Sequence, residues 1–420
     1  MIILATILSS LSLLMSVLFF IRPKAFFIKT LTLVPILVAG ALSPWWAIMG
    51  VAGAVIGWVA GALWAVPMGI LGAGMMAWYV WRCTRDHKGF EKAFGADWPD
   101  HIPPAAARLM IQKRWRWFLK IKPSPEPIWE RDVPFWKVPG TERELLCDIW
   151  RPASGNVSGL AFVYLHGSAW YMLDKDFGTR PFFRHLAAQG HTVMDVAYRL
   201  CPEVDIYDMI GDVKRAIAWM KANASRYGVD PEKIVLGGGS AGGHLALLAA
   251  YTPGHPELTP DDLNGADPSV CGAVSFYGHT DLPEYYQYLD LQKITADLPP
   301  ISIGPETTYQ AKRDFGRMDI LLGGHLQDAP DAYLLASPIT HVHHGTPPTL
   351  LIQGEKDFMV PADQTRALYT KLIESGVLAI YVVIPWTNHA FDLLLPQISP
   401  PAQSSLYDVD RFLALMLNKD

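Results

Sequence analysis

The stretch Leu236–His244 reads LGGGSAGGH, five glycines in nine residues around a single serine. Two chemistries use so little side chain. One is a loop that cradles phosphate; the other is a turn so tight that only glycine fits beside a serine aimed outward to react. A P-loop needs Lys and then Ser or Thr after its second glycine, and no lysine lies between Gly237 and Tyr251. Gly237, Gly239 and Gly242 match the looser dinucleotide spacing, a weak pattern by itself. Gly238, Ser240 and Gly242 instead meet G-x-S-x-G, and the flanks agree with it. KIVLGG before the serine is a β-branched apolar run that reads as a strand, and GGHLALLAAY after it reads as a helix. A serine on such a strand-to-helix turn is held in a strained backbone conformation. Residues two before and two after it must be small, because side chains there would meet the adjoining strand and helix. Ser240 is therefore the candidate nucleophile.

An activated serine needs a base, an acid to orient that base, and N–H donors for the oxyanion. On this kind of turn the expected chain order is Ser, then Asp, then His. Asp357 in GEKDFMVP follows the strand-like TLLIQG, and His389 in TNHAFD follows YVVIPW. Both fall on loops at strand ends, and every other histidine lies upstream of Asp357. Glu355 and Asp363 are weaker acid candidates, and Asp357 could instead serve as an N-terminal carboxylate for the helix that follows. Upstream, YLHGSAW ends a strong strand, so the backbone N–H groups of Gly167 and Ser168, with that of Ala241, are candidate oxyanion donors. His166 reads as a brace for that loop.

The surrounding pattern alternates strand and helix. GLAFVYLHG, HTVMDVAYRL, KIVLGG, VCGAVSFYG, TPPTLLIQG and LAIYVVIPW read as strands, with PFFRHLAAQG and DMIGDVKRAIAWMKANASRYG as helices. Such alternation predicts an α/β architecture with a doubly wound, mostly parallel sheet and ligands at the carboxyl ends of the strands. Residues 283–335, rich in Tyr, Leu and Pro, break the alternation and read as a cap over the site.

The chain of 420 residues is 50% hydrophobic and 18% charged, with mean hydropathy +0.17. The excess is concentrated at one end. Residues 1–81 hold no Asp or Glu, and their only charges are Arg22, Lys24 and Lys29. Residues 1–21 are long enough to cross a bilayer, which takes about 20 apolar residues, and lack the basic start of a signal peptide. Residues 30–81 carry no charge and have room for two more spans, or a re-entrant hairpin, connected near SPWW. About three transmembrane helices are therefore expected over 1–81, with Pro67 kinking the last. Basic residues at 22–29 and at Arg82, Arg85 and Lys88 put the catalytic domain in the cytoplasm under the positive-inside rule. Gly53, Gly57, Gly61, Ala65, Gly69 and Ala73 recur every fourth residue, a small-residue face for packing among the spans, with a homodimer contact as the minority alternative.

Residues 82–128 form a connector. Between His101 and Pro125 there is no acid, while Arg108, Lys113, Arg114, Arg116, Lys120 and Lys122 are basic. Ala107, Ile111, Trp115 and Phe118 share one helical face, which predicts an amphipathic helix on an anionic leaflet rather than one packed on the following domain. The patch is short and the rest acidic, which argues against nucleic acid. Cys83, Cys147, Cys201 and Cys271 form no C-x-x-C pair, so neither a disulfide framework nor a zinc knuckle is expected. The histidines in THVHHG read as a loop, not a metal site.

Residues from about 135 onward resemble α/β-hydrolase esterases of the hormone-sensitive-lipase-like group. HGSAW, YRLCPE, GGGSAGGHLA, ASP, GEKDFMVP and NHAF occur in that family's order. The resemblance implies an α/β-hydrolase domain over 129–420 and a serine esterase without a cofactor. It implies Ser240, Asp357 and His389 as the triad, with Gly167, Ser168 and Ala241 as oxyanion donors. One departure is Gly-Ser-Ala after the histidine, where the family has a glycine run; side chains there are expected to narrow the loop. The membrane segment suggests a lipophilic ester as substrate and membrane lipids as surroundings. An amidase or formamidase with the same triad, and a hydrolase-fold receptor without turnover, are the alternatives.

Overall fold

Eight strands form one sheet in the order β1-β2-β4-β3-β5-β6-β7-β8 in a computed structural model that describes residues 1–21, 23, 26–119, 126–153, 157–291 and 317–418. The strands are β1 (Ile128–Lys137), β2 (Glu144–Arg151), β3 (Gly159–Leu165), β4 (Thr192–Val196), β5 (Val229–Gly239), β6 (Gly272–Phe276), β7 (Thr349–Gly354) and β8 (Ala379–Ile384). β1–β2 and β2–β4 pair antiparallel, and the remaining pairs are parallel. The central strands β3 to β7 are buried on both faces, so they read as continuous apolar runs. β1 and β2 went unread in the sequence. Charges, Pro134 and two register shifts interrupt the alternation of β1, as befits an edge strand.

Helices cover both faces of the sheet. Ile206–Ala222 and Ala241–Tyr251 lie in the core of one face, and Arg180–Ala188 and Pro400–Met416 in that of the other. The second core does not end with the sheet. Phe19, Met76 and Tyr79 of the N-terminal region join the same apolar cluster as Phe162, Phe183 and Phe412.

That N-terminal region contains four helices where the sequence predicts about three: α1 (Ile2–Val17), α2 (Phe26–Ala41), α3 (Ser43–Ala60) and α4 (Ala65–Thr84). SPWW is not a connection but the start of α3, with Pro44 in the first turn, where its missing N–H is not needed. The long small-residue face is likewise split. Gly61 caps α3 in the left-handed conformation, and Pro67 falls in the first turn of α4, so it kinks nothing. Gly53 and Gly57 lie on one helix and Gly69 and Ala73 on the next, folded against each other.

The third partner in this seam is α1, whose Ala5, Ser9, Ser12 and Ser16 are buried. A Cβ on Gly50 would lie 2.5 Å from Ser12 Oγ and 2.6 Å from Gly69 O; on Gly53 it would lie 2.5 Å from Ser9 Oγ. Backbones thus approach closely along α1, α3 and α4, as small residues allow in apolar surroundings. Of the Gly53/Gly57/Gly61 face expected as an alternative dimer contact, Gly53 and Gly57 are covered within the chain and Gly61 is exposed. Outward, Ile3, Leu14, Val55, Trp58, Val59 and Ile70 are exposed. Ile2–Phe20 and Ser43–Ala60 are long and apolar enough to cross a membrane. α2 divides its packing between the other helices of the bundle and the Pro400–Met416 helix of the sheet domain, which α4 also touches.

The connector is also not the predicted amphipathic helix. Short helices form over Gly89–Phe94 and Pro104–Leu109, and residues 110–119 run irregularly along the Pro400–Met416 helix; 120–125 lie outside the described residues. Arg114 grips Asp408 with two hydrogen bonds of 2.9 and 2.8 Å, Ile111 N–H donates to Asp410, and Trp115 Nε1–H donates to Ile398 O. Burial pushes the Asp408 carboxyl up, but the Arg114 guanidinium outweighs it and holds the group below the usual carboxylate range. Side chains that seemed suited to a leaflet are used to dock the connector on the domain.

Gly53→Leu is expected to prevent the bundle from closing, because Ser9 N as well as its hydroxyl stands in the way. Gly74→Ala, with open space around the new methyl, should keep or raise stability by about 0.5–1 kcal/mol. Thermal unfolding of detergent-solubilised protein checks both.

Candidate active site

The turn that opens the sequence reading lies where β5 meets the Ala241–Tyr251 helix. Ser240 has φ 54° and ψ −121°, a conformation that costs an L-residue about 1–3 kcal/mol. It is held there by close packing. A Cβ on Gly242 would lie 2.1 Å from Leu165 O, and one on Gly238 would lie 2.5 Å from the carbonyl of Gly242. Ser240 N–H donates to Phe276 O at 2.9 Å, tying the turn to the end of β6.

Around this serine the fold gathers the other named residues. His389 Nε2 stands 3.0 Å from Ser240 Oγ, and His389 Nδ1 stands 2.8 Å from Asp357 Oδ2. Asp357 follows β7 and is buried; its Oδ1 accepts from the N–H groups of Met359 and Val360 at 2.9 Å, and Gln353 donates to Oδ2 at 3.1 Å. The weaker acid candidates lie elsewhere. Glu355 accepts from Trp386 N–H and pairs with Lys356, and Asp363 pairs with Arg366 on the next helix. A hydroxyl, an imidazole and a carboxylate in this order can pass a proton from the hydroxyl to the ring while the carboxylate fixes the tautomer.

Gly167 lies beside the nucleophile, since a Cβ there would be 3.5 Å from Ser240 Cβ. Ser168, expected to narrow the loop, turns its hydroxyl toward Tyr198. Its side chain is buried and spent in a relay: Trp170 N–H donates to Ser168 Oγ, Ser168 to Tyr198 Oη, and Tyr198 to His166 O. Ala169 and Trp170 both take positive φ, 46° and 64°, a region that glycine adopts most readily. The relay holds that turn. Ala241, fully buried, begins the helix whose N-terminus points at the site.

Two histidines here escaped the sequence reading. His244 Nδ1 accepts from Trp170 Nε1–H at 3.1 Å, so its proton is on Nε2, donated to Ala336 O at 2.8 Å. His279, just past β6, packs on Trp170 and Tyr285 with ring centroids 4.6 and 4.1 Å apart. Burial pushes it well below the ordinary histidine range. With Tyr277, whose ring lies 4.5 Å from His389 and whose hydroxyl donates to Asp392, these residues build an aromatic wall. Part of the expected cap contributes: Tyr285 and Tyr288 come from the Leu282–Leu291 helix, and Tyr288 donates to Phe358 O. Of the rest of the expected cap, 292–316 lie outside the described residues, and 317–335 carry two short helices, Met318–Leu322 and Pro330–Leu335. His341 and His343 serve loop hydrogen bonds, and no metal cluster occurs among the described residues.

The BD-FAE family description matches residues 147–372, more than half of the chain. The chain belongs to the BD-FAE family. It is 31% identical over 316 residues to esterase LipQ of Mycobacterium tuberculosis, covering 73% of this chain and 69% of LipQ. It is 35% identical over 270 residues to LipM of the same organism, named a probable carboxylic ester hydrolase, of which it spans 57%. A thermophilic esterase from Thermogutta terrifontis superposes with TM-score 0.52 at 25% identity, over 71% of this chain and 95% of that one. A truncated carbohydrate esterase from gut microbiota, at 22% identity and TM-score 0.54, covers 72% of this chain and all of its own; it speaks for the fold alone. The mostly parallel sheet with its helices is that of α/β-hydrolase esterases.

Burial lowers His166, His191 and His244 from about 6.5 to about 4. The folded chain therefore keeps them neutral while the unfolded chain takes up protons below about pH 6.5. Their contribution is fully present above about pH 6.5 and is lost as the pH falls toward 4. The unfolding midpoint should drop steadily between about pH 7 and 5, and His191→Gln should flatten the drop. A midpoint that stays level across that range would contradict this.

Proposed function

We propose that the protein is a membrane-anchored serine esterase that hydrolyses a lipophilic carboxylic ester through an acyl-enzyme. The observation that carries the reading is the hydrogen-bonded series Ser240–His389–Asp357 on a strained strand-to-helix turn. Family membership and relatives named as esterases support the reaction type. The hormone-sensitive-lipase-like grouping is the finer form of the same reading.

Ser240 Oγ attacks the ester carbonyl carbon while His389 Nε2 takes its proton. Asp357 accepts from Nδ1–H and stabilises the imidazolium. The backbone N–H groups of Gly167, Ser168 and Ala241 receive the oxyanion. Collapse of the tetrahedral intermediate expels the alcohol with the proton from His389. A water molecule, deprotonated by His389 in its turn, then releases the acid. The cycle uses no cofactor.

The anchor is α1, α3 and α4, whose large apolar side chains face outward around a small-residue seam. Ile2–Phe20 and Ser43–Ala60 are the two stretches long and apolar enough to cross, and α4 packs against both. Basic residues on the catalytic-domain side support a cytoplasmic active site, and a cysteine label on that domain reacting from outside intact cells would overturn this orientation. "Lipophilic" follows from the anchor and from the aromatic wall of Trp170, Tyr277, His279 and Tyr285.

The test is hydrolysis of p-nitrophenyl esters of increasing acyl length by detergent-solubilised protein. Ser240→Ala should remove about a thousandfold or more of kcat, and Asp357→Asn about ten-thousandfold by favouring the wrong tautomer. Turnover rising with chain length supports a lipid-like acyl group, whereas a peak at acetate means a small acyl pocket. Activity equal to Ser240→Ala on every ester would end the esterase reading, and anilides of the same acids would then test the amidase.

A further inference from the structure

His389 sits at the end of a short loop, 385–389, that has two sides. One side is held by the loop of the catalytic acid. Lys356 N–H donates to Thr387 O at 2.9 Å, Trp386 N–H donates to Glu355 at 2.9 Å, and a Cβ on Gly354 would lie only 2.6 Å from Thr387 O. The other side is held by the N-terminal helices. Tyr79 of α4 has its hydroxyl 3.1 Å from Thr387 Oγ1, and both residues are buried. Thr387 Oγ1 donates its proton to Pro385 O at 3.0 Å, so Tyr79 must be the donor in the bond between the two hydroxyls.

The ring contacts repeat the pattern. Trp386 packs against Phe20, at the end of the α1 segment, with centroids 4.9 Å apart, and edge-on against Trp78 of α4 at 5.9 Å. Tyr79 itself stacks on Phe19 at 4.4 Å. Cys83 Sγ reaches Pro385 O at 3.5 Å. Trp386 has φ +57°, a left-handed conformation that a bulky residue keeps only when its surroundings enforce it. Three residues further on, His389 must stay within hydrogen-bond distance of both Asp357 and Ser240.

We infer that Tyr79 is a positioning residue for catalysis: through Thr387 it fixes the histidine loop, so the helical segment is part of the catalytic apparatus as well as an anchor. The inference rests on the Ser240–His389–Asp357 reading. Its consequence is that loosening α4 weakens proton transfer by His389 without touching the substrate.

The experiment uses the full chain in detergent and measures the rate at which a fluorophosphonate labels Ser240, with Ser240→Ala as blank. That reaction needs the histidine but no knowledge of the natural ester. Tyr79→Phe and Thr387→Val are each expected to slow labelling by about three- to tenfold, and the double variant no more than either single one. Thr387→Ser, which keeps the hydroxyl, should restore the rate. On p-nitrophenyl acetate the loss should fall on kcat with KM unchanged, and the acid side of the pH profile should move. Trp81→Phe, on the exposed side of α4, should do none of this. Equal labelling rates in wild type and Tyr79→Phe, or losses that add in the double variant, would overturn the inference while leaving the triad intact. Wild-type protein that fails to label would remove the triad and this inference together.

Discussion

Backbone packs on backbone where Gly242 passes Leu165 O, with no room for a single added carbon. This contact fixes how near the helix after β5 can come to the end of β3. It thereby holds Ser240 in a conformation the residue would not choose, and sets the loop of Gly167 and Ser168 beside it. The parallel order of β3, β5, β6, β7 and β8 then delivers the remaining groups to the same edge of the sheet. Asp357 arrives from β7 and His389 from β8, each a few residues past its strand. A parallel sheet makes this convergence a matter of topology, since every carboxyl end points the same way.

The chemistry was legible because it depends on residue type and order. A small-flanked serine between a strand and a helix has few readings, and only one histidine follows Asp357. The parallel strands were legible as apolar runs because they are buried on both faces. What could not be read depended on partners distant in the chain. The edge strand β1 is broken by charges and register shifts that make sense only beside β2. The fourfold spacing from Gly53 to Ala73 was a real packing signal, but Gly61 turns the chain within it, so one apparent face became two facing helices. The matching Ala5, Ser9, Ser12 and Ser16 on α1 looked like an ordinary apolar span until α3 and α4 lay against them. Arg114 and Trp115 offered a helical face to a membrane in the sequence; in the fold, Asp408 and Ile398 outbid the leaflet.

Polar groups in the interior are handled by partners rather than exclusion. Asp408 and Asp410 lie in the buried helix Pro400–Met416, and each meets a cation or imidazole: Arg114 and His87 for the first, His185 for the second. Such pairs give little net stability against an apolar alternative, but removing one partner leaves a buried charge, so they fix where the connector must lie. Buried histidines near the site are treated differently. His244 is kept neutral by burial, and two directed hydrogen bonds fix its ring near Trp170.

The residues that clasp one another most firmly across the molecule come from its two ends. Phe20, Tyr79 and Arg114 belong to the early chain, while Trp386, Thr387 and Asp408 are made near its close. During synthesis the small-residue seam of α1, α3 and α4 can close long before β8 exists, yet its lower end has nothing to rest on until the final helix emerges. The histidine loop therefore meets helices made some 300 residues earlier, Tyr79 and Thr387 being 308 positions apart. Order of synthesis thus makes the helical bundle the surface on which the loop of His389 comes to rest.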